Sequence, residues 1–152
     1  MLFANKVLFL WGNNNYRQMK RTILSIITML SMTCAFAQSA LNGSYFNKDL
    51  YIRIRLNVDK ADIPVPGLEL DSCYGYIQGN INSSWIILKV KKNEGNKAIV
   101  RAMCEKGDNA QDLELTINET ELSIKQIGDS YIKGIKDRKY VKLPKTIILN
   151  KE

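Results

Sequence analysis

From Leu50 the chain alternates apolar and polar positions. Leu50, Ile52, Ile54, Leu56 and Val58 fall on one face of an extended segment and Tyr51, Arg53, Arg55 and Asn57 on the other, the period of two that marks a half-buried β-strand. Runs of the same habit follow at 70–78, 84–92, 97–105, 112–118, 121–127, 131–136 and 139–143. The separators NEGN at 93–96, NET around 119, GDS at 128–130 and KDRK at 136–139 carry turn-forming residues,. Links this short join antiparallel neighbours, because a parallel crossover needs about a dozen residues or more. No stretch between the runs has the period of a helix of useful length. The predicted fold is therefore all-β, an antiparallel up-and-down meander of about eight strands.

Such a meander has two exposed edges unless it closes on itself. Gly75, Gly79 and Gly134 lie inside strands, where glycine suits the bends of a small closed or partly open barrel,. A split two-sheet sandwich is the competing arrangement. The inward series is expected to be Ile52, Ile54, Leu56, Ile77, Ile86, Leu88, Val90, Val100, Ala102, Leu113, Leu115, Ile117, Leu122, Ile124, Ile132, Val141 and Leu143, with Tyr51, Tyr74, Tyr76 and Trp85 facing out. Loops of a meander alternate between its ends. Segments 59–69, 93–96, 118–120 and 136–139 are thus expected at one mouth, and 79–83, 106–111 and 128–130 at the other.

Ahead of the strands stands MKRTILSIITMLSMTCAFAQ, beginning at Met19. Lys20 and Arg21, the apolar run Ile23 to Phe36 and the small-x-small Ala35-Phe36-Ala37 follow the order of a secretory signal, whose apolar core is about 7 to 15 residues long,. Broken by Ser25, Thr28, Ser31 and Thr33, the run falls short of the roughly 20 residues of a membrane-spanning helix,. We therefore expect residues 19–37 to be a cleaved signal peptide, 1–18 an upstream mis-start, and 38–152 a single exported domain without a transmembrane segment. A bacterial envelope, periplasmic or extracellular, is the expected location. Cys34 leaves lipidation as an alternative, although Ser31 and Thr33 stand where that reaction favours a leucine-like and a smaller residue.

Processing changes the charge argument. Four of the 22 basic residues precede Gln38 and none of the 15 acids does, so the formal charge of +7 falls to +3 for the mature part. A nucleic-acid partner is not expected at that charge. Cys73 and Cys104 remain, in a compartment where disulfides persist,. A bridge closing the roughly 30 residues between them would contribute about 3.5 to 4 kcal/mol in the chain-entropy account. Two separately buried thiols are the alternative.

At the front of the domain, Gly43-Ser44-Tyr45 resembles the Gly-x-Trp start of lipocalin-like barrels, with Tyr45 in the aromatic's place, and the following meander is similar to that architecture. The resemblance implies an eight-stranded cup that binds something at its open end.

Catalytic chemistry finds few candidates. The chain has no histidine, which removes the usual general base, the Ser-His and Cys-His nucleophile systems and most zinc sites. Asp108 with Asp112, and Glu114 with Glu119 and Glu121, are the nearest carboxylate clusters, and they fall on hairpin surfaces. No cofactor or metal motif is present. Binding features are richer. ADIPVPGLE offers Ile63, Val65 and Leu68 between Pro64, Pro66 and Gly67, a loop that either recognises a partner or folds over the barrel end as a lid,. Lys136, Arg138 and Lys139 belong to a basic strip from 133 to 145 in which six cations face one acid, Asp137,. The expected function is a non-enzymatic exported binding protein with a protein partner, as an inhibitor of or immunity factor against a secreted hydrolase. A lipocalin-like carrier of a small apolar ligand is the alternative.

Overall fold

The computed structural model describes residues 38–68 and 72–152; the expected leader, the upstream extension and Cys34 lie outside the described residues. The strands are β1 (Gly43–Asn47), β2 (Ile52–Leu56), β3 (Gly75–Gly79), β4 (Trp85–Asn93), β5 (Lys97–Cys104), β6 (Ala110–Asn118), β7 (Glu121–Ile127), β8 (Gly134–Lys136), β9 (Lys139–Val141) and β10 (Thr146–Lys151). Eight of them close into an antiparallel barrel in the order β1-β10-β7-β6-β5-β4-β3-β2, with β2 pairing back onto β1. The all-β meander is observed, and it closes as a barrel.

The membership of the wall departs from the expectation. The runs at 131–136 and 139–143 do not enter the barrel but form the separate β8–β9 hairpin. Each contributes only three strand residues, too few to cross a wall whose longest strands have nine. Closure comes instead from GSYFN and TIILNK, β1 and β10. Their mutual register is short, Tyr45 opposite Lys151 and Phe46 opposite Asn150, whereas β10 pairs with β7 over five positions. Outside this seam the Arg53 guanidinium lies over the Phe46 ring at 5.2 Å and donates to Glu152 Oε1 at 2.7 Å, lacing β2 to both seam strands.

The strands alternate in direction, so the loops alternate between a rim and a floor. At the floor lie the β2–β3 segment, the β4–β5 turn and the β6–β7 turn. At the rim lie the β1–β2, β3–β4 and β5–β6 loops and the whole segment from β7 to β10. Residues 136–139 therefore sit at the opposite end from the one expected, together with 79–83, 106–111 and 128–130.

The interior is one contiguous apolar cluster, with Trp85, Tyr45, Leu41, Ile54, Ile87, Leu113, Leu115, Leu122 and Leu149 all withdrawn from solvent. An eight-stranded barrel is just wide enough for its own side chains to fill. β4 inverts the expected facing. Trp85 and Ile87 point inward, Ile86 belongs to a cluster on the outer wall and Leu88 is exposed. The register against β5 shifts between Ile87 and Lys89 and again between Val90 and Lys92, so one strand carries two phases of alternation. Burial of the large indole is tolerated because its Nε1–H donates to Asn82 Oδ1 at 3.3 Å,. Val141, also expected inside, is exposed on β9. Where β2 and β3 run closest, a Cβ on Gly79 would collide with the Tyr51 carbonyl oxygen and one on Gly75 with that of Arg55,.

Trp85→Ala should lower the unfolding free energy by about 3–5 kcal/mol in urea titration, the cost of emptying a large core site. Leu88→Ala, two positions away in the apolar-looking run, should change it by no more than about 0.5 kcal/mol. Equal costs would contradict the observed facing of β4.

Candidate functional site

The rim includes residues 128–145, which pack Ile132 and Leu143 into the barrel end and carry the β8–β9 hairpin. Two side chains reach inward from this cap, Ile132 and Leu143, and both are buried in the interior cluster. Three amides clamp the segment to the wall. Gln126 accepts from Ile132 N–H at 3.2 Å and donates to Ile132 C=O at 3.3 Å. Gln111 accepts from Tyr131 N–H at 3.0 Å while its Nε2 donates to Ile127 C=O at 2.9 Å. Asn82 donates to Tyr131 C=O at 3.2 Å and accepts from Lys133 N–H at 3.2 Å. β8 is further tied to the β3–β4 loop by Ile135 N–H donating to Asn80 C=O and Asn82 N–H donating to Lys133 C=O, with Ile81 opposite Gly134. Gln111 and Gln126 are almost wholly buried, and buried polar side chains are stable only when partnered in this way. Isolated glutamines in alternating strands gave no signal that they hold a cap.

At the tip, Asp137 and Arg138 have φ of 51° and 62°. A two-residue hairpin turn with both φ values positive matches the right-handed twist of its strands, although glycine or asparagine is the usual occupant. Lys136, Arg138 and Lys139 are exposed there, as expected for a basic strip. Tyr140 is 69% exposed, and Tyr131, Ile135 and Val141 are exposed beside it. The hairpin thus presents apolar and aromatic surface within a ring of cations.

Two clefts flank it. The first, about 290 Å³, lies between the β3–β4 and β5–β6 loops and the cap, lined among others by Asn82, Lys106, Asp108, Tyr131, Lys133 and Tyr140. The second, about 330 Å³, is lined by Ser130, Ile132, Lys133, Tyr140, Val141, Lys142 and Leu143. Lys133 and Tyr140 stand in both. A hollow of about 400 Å³ at the floor includes Arg55, Asn57 and Asp62, but there Asp62 is already engaged by Asn57 and Lys60. Carboxylates of the wall are similarly taken up. Asp112 meets Lys91 at 2.6 Å and Arg101 at 3.4 Å, and Glu114 meets Lys97 at 3.1 Å. Among the described residues none of the ion pairs involves a cation of residues 133–145.

The proline loop takes a third course, neither a presented apolar loop nor a lid over a mouth. Ile63 and Val65 are buried with Cys73, Tyr76 and Ile86 in a cluster on the outer wall, with Leu68 packed partly against it. Ile63 and Cys73 exchange backbone hydrogen bonds at 3.1 and 3.0 Å, which holds the loop as a flap against β3 and β4. Only Pro64 and Pro66 of the alternating series stay exposed. The apolar residues were legible, but their destination was not, because Tyr76 and Ile86 looked like ordinary members of their own strands. Tyr74, also expected to face out, packs partly against the interior cluster.

Cys73 and Cys104 are both buried and both free. The expected bridge is absent because the two thiols lie on different sides and at different ends of the wall. Cys104 closes β5 at the rim, opposite Trp85 in the interior cluster, and Cys73 sits before β3 in the outer one. The alternation slips at Tyr74–Gly75, so that Cys73 joins the outer cluster although Ile77, an even number of residues on, joins the interior one. Burial pushes the Cys73 thiol pKa upward, with a backbone hydrogen bond to Gly75 partly opposing it.

No protein-family model matches the chain, and neither a curated protein nor a solved structure does. The closed eight-stranded antiparallel barrel is compatible with a lipocalin-like one. Tyr45, in the place of that family's aromatic, is buried near the floor and its hydroxyl donates to Leu41 C=O at 3.0 Å. Among the described residues no group of three or more Cys, Asp or Glu is placed to hold a metal ion, and no helix is long and apolar enough to cross a membrane.

Two measurements follow. Gln126→Leu strands both backbone groups of Ile132 and should cost about 2–3 kcal/mol; hydrogen exchange should then quicken at Ile132 and Lys133 more than in β6. For Cys73 the fold favours the protonated thiol, so its contribution is complete below the ordinary thiol range near pH 8.5 and is lost as pH rises through the raised folded value. Urea stability should therefore decline as pH rises above about 8.5, and Cys73→Ala should flatten that decline,. An identical slope in the variant would contradict the assignment.

Proposed function

We propose that the chain is an exported binding protein that grips a protein partner with the rim of its barrel. The single observation that supports this reading is the division of the molecule. Its interior is lined by one buried apolar cluster of its own side chains, while the segment from β7 to β10 brings together exposed Tyr131 and Tyr140, two clefts and six cations that enter none of the ion pairs among the described residues. Interface anchors are typically tyrosine, tryptophan and arginine set in pockets on a rigid support. Tyr140 and Arg138, on a hairpin clamped by Gln111, Gln126 and Asn82, fit that description. Inhibition of a secreted hydrolase, or immunity against one, is the activity we assign to such a grip, since occlusion needs a firmly held contact surface and no chemistry from the inhibitor.

Export after Ala37 is supported by what such a cut would leave intact. Ser39 N–H donates to Asp59 Oδ2 at 2.8 Å, Ser39 Oγ–H donates to Gly95 C=O at 2.7 Å, and Leu41 is fully buried. Cleavage after Ala37 would keep every one of these groups.

A second reading, the lipocalin-like carrier, is favoured by barrel closure and by the position of Tyr45. It requires an apolar guest to displace residues such as Ile54, Leu115 or Leu122 from the interior, against the cost of disturbing a close-packed core.

Site-directed photo-crosslinking in the producing cells tests the choice. A photoreactive phenylalanine at position 140 should yield a discrete protein adduct on a chain whose N-terminus is Gln38, and the same probe at Lys89 on the wall should not. Loss of the adduct at 140, together with a small apolar molecule retained in native mass spectra, would replace this reading with the carrier.

A further inference from the structure

We propose that the β8–β9 rim takes an acidic segment of its protein partner, with carboxylates meeting the cations of residues 133–142 and aliphatic side chains lying against Tyr140 in the two clefts. This inference rests on the binding reading above and names the chemistry of the partner.

Charge is the first ground. The wall neutralises its acids with neighbouring lysines and arginine, as at Lys91–Asp112 and Lys97–Glu114, yet the strip from 133 to 145 holds six cations against Asp137 and contributes to none of the ion pairs among the described residues. Like charges on one small hairpin repel, and an acidic surface relieves that repulsion while drawing its owner in. The second cleft carries the same sign. Lys133 and Lys142 flank its Ile132, Val141 and Leu143 walls, and it contains no acid. A glutamate side chain, apolar along its stem and charged at its end, matches such a site.

Shape is the second ground. Clefts of about 290 and 330 Å³ admit individual side chains, and they share Lys133 and Tyr140. A partner reaching both must straddle Tyr140, which an extended segment does. β9 has a strand on one side only, leaving an edge along which such a segment can lie. Lysines on an open edge repel the same edge of a second copy; the repulsion reverses for an acidic strand. A bilayer fits less well, because its flat face would leave the clefts unfilled.

The full chain is titrated by fluorescence anisotropy with labelled octapeptides of alternating Glu–Val and alternating Lys–Val, and by co-sedimentation with phosphatidylglycerol vesicles. The Glu–Val peptide should bind at least about tenfold more tightly than Lys–Val, and weaken at least about tenfold as salt rises from about 20 to 300 mM, where screening shortens the reach of exposed charges. Replacing Lys133, Lys139 and Lys142 together by Gln should remove about tenfold or more of the binding, and Tyr140→Ser a comparable share, with unchanged circular dichroism. Lys89→Gln, on the wall, should have no effect. Equal affinity for the two peptides, or salt-independent binding, overturns the proposal. Binding to vesicles but not to peptide overturns it in favour of a lipid surface. Adducts from position 140 that persist undiminished in the triple glutamine variant remove the acidic segment while leaving the binding reading intact; absence of any adduct removes the binding reading itself.

Discussion

The width of an eight-stranded barrel governs this molecule. At that width the inward side chains either fill the lumen or leave room for one small guest. Trp85, Tyr45 and a surrounding shell of leucine and isoleucine line it as one buried cluster. Polar groups inside must therefore be answered locally, and they are: among the described residues no buried side-chain nitrogen or oxygen lacks a hydrogen-bond partner. The Trp85 indole is answered by Asn82, the Tyr45 hydroxyl by Leu41 and Ala40, and Gln126 by both backbone groups of Ile132.

Much of the barrel was legible in the chain. β2, β5, β6 and β7 alternate cleanly, each is buried on one face only, and the turns between consecutive hairpins carry residues suited to reversals. The failures have physical causes. β4 changes phase at two register shifts, which a fixed period of two cannot follow. β1 begins with a glycine and pairs only briefly with β10, and TIILNK looks like a short tail until its partner strands are known. The runs at 131–136 and 139–143 do alternate, but a tight turn with two positive φ values folds them onto each other before they can join the wall.

The candidate site divides in the same way. Composition revealed the basic character of Lys136, Arg138 and Lys139, since charge needs no partner to be seen. Their placement at the rim depended on counting strands that the pattern alone miscounted. Ile63 and Val65 show the converse, apolar residues in a proline-rich loop whose resting place was a patch of outer wall. That flap also explains why β3 and β4 have apolar residues on both faces, Tyr76 with Ile77 and Ile86 with Ile87: each pair serves one cluster within and one without.

One consequence of the seam concerns handling and tethering. β1 rises from the floor and β10 descends to it, where Glu152 N–H donates to Ser44 C=O at 2.9 Å. Gln38 and Glu152 consequently both lie on the pole opposite Tyr140. A surface, tag or neighbouring domain joined covalently at Glu152 would hold the barrel by its base and leave the hairpin on the far side.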